Sequence, residues 1–229
     1  MYLKKAEEGL WKSEEKLIKK YFIKKNSKVL DIGCGTGRTT IVLHKMNYKI
    51  IGIDITPKMI ENAKKIAKNK KLKIDYRIGD ATKLKFRSET FDYALFSNQG
   101  WAQIPGSEER LKALKEVYRI LKKEGIFIFT VHSRLFFSKR FFFWALMWFK
   151  FYVLRPLGFY IEGIEFGDKL FIRESEVTNI KTKQYIHVPN VNYVTKQIKN
   201  VGFRILYTGY GLTEQPKPNT EPTFFVCKK

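Results

Sequence analysis

The stretch VLDIGCGTGR sets Gly33, Gly35 and Gly37 directly after an apolar run and just before a segment of helical period. Glycine tolerates positive φ and lets a ligand approach the main chain, while the first turn of a helix offers unpaired N–H groups to anionic or polar ligand atoms. A tight turn that binds nothing would use glycine too. The spacing carries more information: the glycines run in steps of two, and Arg38 stands where the third glycine of a dinucleotide fingerprint is required. Three acids accompany the turn. Asp31 closes KVLDI, Asp54 closes KIIGID, and Asp80 follows KIDYRI in GDA. Asp54 lies 17 residues beyond Gly37, where a carboxylate can accept hydrogen bonds from both ribose hydroxyls of a nucleoside lying across the strand ends. Each acid taken singly reads equally well as a helix cap or a surface charge. Three of them at the ends of three successive strands, beside a glycine turn, mark the edge where open parallel sheets bind ligands.

The elements that position these residues follow from hydrophobic periodicity. Residues 1–25 are expected to form a helical cap, with Leu10, Leu17, Ile18, Tyr21 and Phe22 on one face. Strands are expected at 28–32, 49–54, 73–78, 91–97 and 125–131, separated by helices near 36–45, 57–68 and 107–122. Pro57 suits the first turn of its helix, and Gly125 reads as the terminator of the helix before it. Short, nearly continuous apolar strands alternating with amphipathic helices require a sheet covered on both faces. The fold class is α/β, doubly wound. After an interruption over 133–188 the pattern resumes with a helix near 191–200 and strands at 203–210 and 224–228, all within one domain of 229 residues.

On VLDIGCGTGR, GIDITPKMIENAKK, GDATKLKF, FDYALFS and LKEVYRILKKEGIFIFT, the sequence resembles the class I S-adenosylmethionine-dependent methyltransferases, of the kind that alkylate quinones and other metabolites. The resemblance implies a Rossmann-like seven-stranded sheet, mostly parallel with an antiparallel last strand, and S-adenosylmethionine as cofactor. It implies that Asp31 and the Gly33, Gly35 and Gly37 turn hold the methionine end, and that Asp54 holds the ribose. Asp80 and Ala81 are then expected at the adenine amine and ring, Ile55 and Met59 packed on the adenine, and Ser97 and Asn98 along the methionyl portion. Cys34, inside the turn, reads as a packing residue rather than a nucleophile.

A sulfonium already activates its methyl group, so the protein has mainly to align an acceptor for in-line displacement and exclude water. A base matters where the acceptor must lose a proton. His132, following the fifth strand, is the candidate, against the competing reading of a hydrogen-bonded structural histidine. His187, in YIHV, faces the acceptor or is structural, and His44 reads as a helix-surface residue. FSNQGWAQIP after the fourth strand contains neither an Asn/Asp-Pro-Pro-aromatic segment nor a cysteine, which lowers the weight of base-amine and carbon-5 pyrimidine methylation.

The interruption holds LFFSKRFFFWALMWFKFYVLRPLGFY. Its apolar run from Phe141 to Phe149 is too short to span a bilayer. Three readings stay open for it: packing on the sheet or a second subunit, a lid over an apolar acceptor, or a surface that dips into a membrane while Lys and Arg meet lipid phosphates. Trp11 and Tyr2 either cover the cofactor or pack in the core. The net charge of +22 invites an anionic partner, yet the excess is Lys scattered along the chain rather than clustered Arg. Nucleic acid is therefore the less favoured partner. Cys34 and Cys227 form no metal-ligand spacing, so no metal is expected, and the charged N-terminal dozen residues leave a cytoplasmic location as the default. A small-molecule or lipid-like acceptor leads. An RNA acceptor and a non-catalytic S-adenosylmethionine-binding protein are the alternatives.

Overall fold

The computed structural model describes residues 7–134, 141–174, 181–210 and 222–229. In chain order its regular elements are α1 (Lys12–Tyr21), β1 (Lys28–Ile32), α2 (Arg38–Lys45), β2 (Lys49–Asp54), α3 (Pro57–Asn69), β3 (Asp75–Ile78), β4 (Phe91–Phe96), a 3-10 turn (Gly100–Gln103), α4 (Ser107–Ile120) and β5 (Leu121–Val131). They continue with α5 (Phe141–Phe149), which runs into a π-helical turn (Lys150–Leu154), then β6 (Asp168–Glu174), β7 (Lys181–His187), α6 (Val191–Val201), β8 (Arg204–Gly209) and β9 (Thr223–Lys228). Tyr2 lies outside the described residues.

Seven strands form one sheet in the order β3-β2-β1-β4-β5-β9-β8. Neighbours from β3 to β5 pair in parallel, and β9 runs antiparallel between β5 and β8. This is the doubly wound α/β sheet with an antiparallel last strand that the resemblance implied. Strand alternation divides the core in two. Leu30, Ile32, Phe127 and Phe129 face the layer of α4 and α6, where Leu114, Val117, Val194 and Ile198 are buried. Val29, Leu95, Ile126 and Ile128 face the other way, toward Leu17 and Ile18 of α1 and Leu43 of α2. Phe127, Phe129 and Phe225 stack with centroid separations of 4.9 and 5.1 Å, an offset arrangement favoured by the ring quadrupole.

Three local expectations are corrected. The fourth helix ends at Ile120, and Leu121 is already extended and paired with Phe91, so β5 is longer than the 125–131 read from its apolar run. Gly125 therefore does not terminate that helix. It sits inside β5 because a Cβ there would lie 2.8 Å from the Lys122 carbonyl and 3.2 Å from that of Asp92, while the positive φ falls on Glu124. α2 begins at Arg38, since Gly37 occupies its N-cap with φ +94 and a Cβ at that point would run into the Tyr76 hydroxyl.

Between β5 and α6 the chain forms a separate layer. β6 and β7 make an antiparallel hairpin, and β7 lies against the 3-10 turn that follows β4. α5 buries Trp144 and leaves Phe142 83% exposed, with Phe143, Leu146, Trp148 and Phe149 also at the surface. The exposed apolar character continues through Tyr152, Leu157, Phe159, Tyr160 and Ile164. No helix among the described residues is long and apolar enough to cross a membrane.

Candidate active site

The parallel order places β1 between β2 and β4. Connections leave β1 to one side and return to the other, so the carboxyl ends of these strands open a crevice at the switch point. The glycine turn sits in it. Gly33 and Gly35 have φ of +63 and +56. At Gly33 a Cβ would come within 2.9 Å of Phe96, whereas at Gly35 it would meet nothing within 4 Å. The turn is thus packed against the sheet on one side and bare main chain on the other. Asp54 ties it to β2: one carboxylate oxygen accepts the Gly35 N–H at 2.9 Å and the other accepts the Thr56 N–H at 2.9 Å.

Asp31 lies beneath this surface. It is fully buried, and one oxygen accepts the hydroxyls of Thr39 at 2.5 Å and Thr40 at 2.6 Å. Its other oxygen has no hydrogen-bond partner. Burial pushes the Asp31 carboxyl up to about 6, against the lowering effect of the two hydroxyls and of Arg38. Cys34 is buried with Ile60, Ala63 and Tyr76. Burial first, then the charges of Asp31 and Asp54, raise its thiol well above the ordinary range, which suits packing and not nucleophilic attack.

Asp80 is exposed beyond β3, with one oxygen accepting the main-chain N–H and hydroxyl of Thr82, each at 2.8 Å. The second oxygen has no partner among the described residues. Ile55 and Ile78 stand beside these acids 67% and 61% exposed, while Met59 and Ala81 are half-buried. At the end of β4 Ser97 is buried and Asn98 is exposed. Asn98 and Gln99 take φ of +49 and +56, two consecutive non-glycine residues in a conformation that costs about 1–3 kcal/mol each. The Gln99 N–H donates to the Thr130 hydroxyl of β5 at 2.9 Å, which holds the strained turn in place.

A latch ties α1 to the glycine turn and the end of β4. Glu14 of α1 is buried and makes paired contacts of 2.7 and 2.9 Å with the Arg38 guanidinium. Arg38 also donates to Ser97 at 2.8 Å and to the Gly9 carbonyl at 2.7 Å, and stacks 4.8 Å from the Trp11 ring. The Trp11 main-chain N–H donates to the Glu14 carboxylate at 2.8 Å. Desolvation of Arg38 is outweighed by Glu14, so its pKa rises. Arg38 therefore stays charged.

Beyond β5 His132 is half-buried, and His44 is half-buried on α2. His187, at the end of β7, is buried and lies 2.8 Å from Asp168. Asp168 also accepts from the Tyr185 hydroxyl and from the N–H groups of Ile164 and Glu165. Burial opposes ionisation of Asp168, but the bond to His187 and these three donors hold it at about 2. Glu165 pairs with the fully buried Arg110. Glu165, Asp168 and His187 offer ligand atoms within 4.8 Å of one another, yet each oxygen of Asp168 already accepts two hydrogen bonds and Glu165 neutralises Arg110. A structural network accounts for the cluster.

Glu14, Gln99 and Thr130 were not singled out from sequence, and Arg38 was noted only as a departure from the dinucleotide fingerprint. Glu14 alone carried a signal: it falls at helical spacing from Leu17, Ile18 and Tyr21, a carboxylate on an otherwise apolar stripe.

Bare main chain at Gly35, a carboxylate at each of two neighbouring strand ends and exposed isoleucines between them fit a nucleoside lying across the crevice. Residues 23–147 match the family model described as a methyltransferase domain, and the chain belongs to the S-adenosylmethionine-dependent methyltransferases. Within that class it is 30% identical over 218 residues to the ubiquinone biosynthesis O-methyltransferase of Pelagibacter ubique, a match covering 90% of this chain and 80% of that protein. It is 34% identical over 116 residues to the demethylmenaquinone methyltransferase of Lactobacillus johnsonii, covering 48% of this chain and 46% of that one. The fold superposes on a S-adenosylmethionine-dependent methyltransferase from Methanosarcina mazei with a TM-score of 0.73 at 23% identity, covering 96% and 98% of the two chains.

Proposed function

We propose that this methyltransferase acts on a small, ring-bearing or lipid-like acceptor by in-line transfer. The observation that carries the reading is the aromatic layer after β5, which packs β7 on the turn beyond β4 and leaves the apolar face of residues 141–164 exposed. The relatives named for quinone biosynthesis supply acceptors of matching chemistry. Asp54 accepts hydrogen bonds from the ribose hydroxyls, Asp80 receives the adenine amine through its free oxygen, and Ile55, Met59 and Ala81 cover the ring. Gly33, Gly35 and Gly37, with Asp31 and Cys34 supporting them from beneath, let the methionine end lie on the main chain, and Ser97 and Asn98 flank it. The cofactor supplies an activated methyl group, so the chain contributes orientation and the exclusion of water, worth about 7–11 kcal/mol in well-aligned systems. His132, at the same edge, accepts the proton where the acceptor is a hydroxyl.

The exposed face of α5 and the turn after it meets an acidic lipid surface, where aromatic side chains enter the headgroup region and the Lys-rich exterior meets phosphate. Purified protein is to be incubated with S-adenosylmethionine and either a hydroxylated quinol carrying a short prenyl chain or bulk RNA, and S-adenosylhomocysteine release measured. Turnover with the quinol supports the proposal. Turnover with RNA alone, falling steeply as salt rises, replaces it with RNA methylation.

A further inference from the structure

Asp31 stands at the foot of the glycine turn, paired in the sheet with Gly52 of β2 on one side and Leu95 of β4 on the other. Its two oxygens are treated differently. Oδ2 accepts the hydroxyls of Thr39 and Thr40, whereas Oδ1 is buried and accepts nothing. The groups that face the carboxylate are Arg38, Thr39 and Thr40 of α2, Glu14 of α1, Cys34 of the turn and Tyr76 of β3. Arg38 is the one cation among them, and its terminal nitrogens are taken by Glu14, Ser97 and the Gly9 carbonyl. Burial pushes the ionisation of Cys34 and of Tyr76 upward, so both stay neutral. Asp31 forms no ion pair among the described residues, while Arg38 is matched by Glu14.

Folding accounts for a hydrogen-bond acceptor at this position but not for a carboxylate. An amide oxygen would accept from both threonines and fill the same space, and it would carry no charge into the interior. Burial already pushes the Asp31 carboxyl up to about 6, and a cation brought near it favours the ionised form. The turn above is where such a cation can arrive, since a Cβ on Gly35 would meet nothing within 4 Å. S-adenosylmethionine carries on its sulfur one positive charge that S-adenosylhomocysteine lacks.

We propose that Asp31 is the specificity-determining residue for the methyl donor: it releases its proton to bulk water when the sulfonium binds above the turn, and so favours the charged donor over the neutral thioether product. This rests on the cofactor placement proposed above and deepens it. Fresh donor then displaces spent product most effectively where Asp31 is ionised, and the advantage fades in mild acid.

The test titrates the whole chain by calorimetry with S-adenosylmethionine and with S-adenosylhomocysteine at pH 5, 6 and 7. Over this range the amino group common to the two ligands stays largely protonated and cancels in the ratio of their affinities. That ratio, donor over product, is expected to rise at least about threefold from pH 5 to 7 in the wild type and to stay level in Asp31→Asn. At pH 6 the donor should also release a larger fraction of a proton than the product does, read from binding heats in two buffers of different protonation enthalpy. The proton count needs no variant, so it decides the matter even where Asp31→Asn does not fold. A level ratio in the wild type, equal proton release with both ligands, or a folded Asp31→Asn that keeps the wild-type rise overturns the proposal. Failure of the wild type to bind either nucleoside strikes the cofactor placement itself, and the role of Asp31 falls with it.

Discussion

Beneath the glycine turn, burial holds the Asp31 carboxyl at about 6 in the folded protein, above the ordinary 3.8. The folded chain thus keeps a proton that the unfolded chain releases between about pH 4 and 6. The associated stability is present below pH 4 and lost as pH rises through 6, on the order of 3 kcal/mol for a shift of this size. Asp31→Asn should remove this dependence, so the melting temperature of the variant minus that of ligand-free wild type is expected to increase between pH 4 and 7. A constant difference would show that Asp31 is ionised throughout. Asp168 runs the opposite way: its folded value near 2 adds stability present above pH 4 and lost as pH falls toward 2. At the crevice, Asp54→Ala is expected to weaken cofactor binding at least tenfold by calorimetry while circular dichroism stays native. Unchanged affinity would remove Asp54 from the ribose site. The glycine turn and the three acids were legible because their chemistry is written in residue type and spacing. The pairing of Glu14 with Arg38 was not, since it forms only when α1 folds back onto the start of α2.

Among the elements, α1 is held by a carboxylate at a core position. Removing one partner of a buried ion pair costs about 3–5 kcal/mol because the other charge is left unpaired. Glu14→Ala should therefore destabilise the protein by that amount in urea unfolding, and Arg38→Ala with Glu14→Ala together should cost less than the sum of the two single changes. Additive losses would mean that the two side chains do not act as a pair. The seven strands of the large sheet and the helices between them were legible in apolar periodicity, apart from the start of β5, and one helix start was legible from Pro57. The roles of Gly37 and Gly125 in packing were not visible in sequence. Gly125 was read as a helix terminator and Gly37 as part of the ligand turn, and in both places a close approach, of the Lys122 carbonyl or the Tyr76 hydroxyl, leaves no space for a Cβ. The layer from α5 to β7 was legible in composition but not in form, because a continuous apolar run gives no period to distinguish buried from exposed faces. Replacing Phe142 and Trp148 with serine is expected to abolish sedimentation with phosphatidylglycerol vesicles while leaving S-adenosylhomocysteine affinity intact. Retained sedimentation would assign that surface to another role.

At the scale of the whole molecule the charge of +22 acts at long range. Each Lys or Arg near an anionic surface contributes about 1 kcal/mol, and the contribution decays within a Debye length of about 8 Å at physiological salt. Vesicle affinity should accordingly fall as salt rises from 50 to 300 mM, with the aromatic layer sustaining a residual, salt-insensitive fraction. Loss of all binding at high salt would leave charge as the sole attraction. Composition announced the charge but not its use, since scattered lysines serve a membrane, a nucleic acid and a solvated exterior alike.

The contact from Glu14 through Arg38 to Ser97 ties α1 and α2 to the end of β4 beside the glycine turn. On the cofactor placement proposed above, a nucleoside leaving by that side would have to lift α1 and break a shielded ion pair. Release of S-adenosylhomocysteine would then be timed by helix opening, a property built into the first turn of α1 rather than into the pocket that grips it.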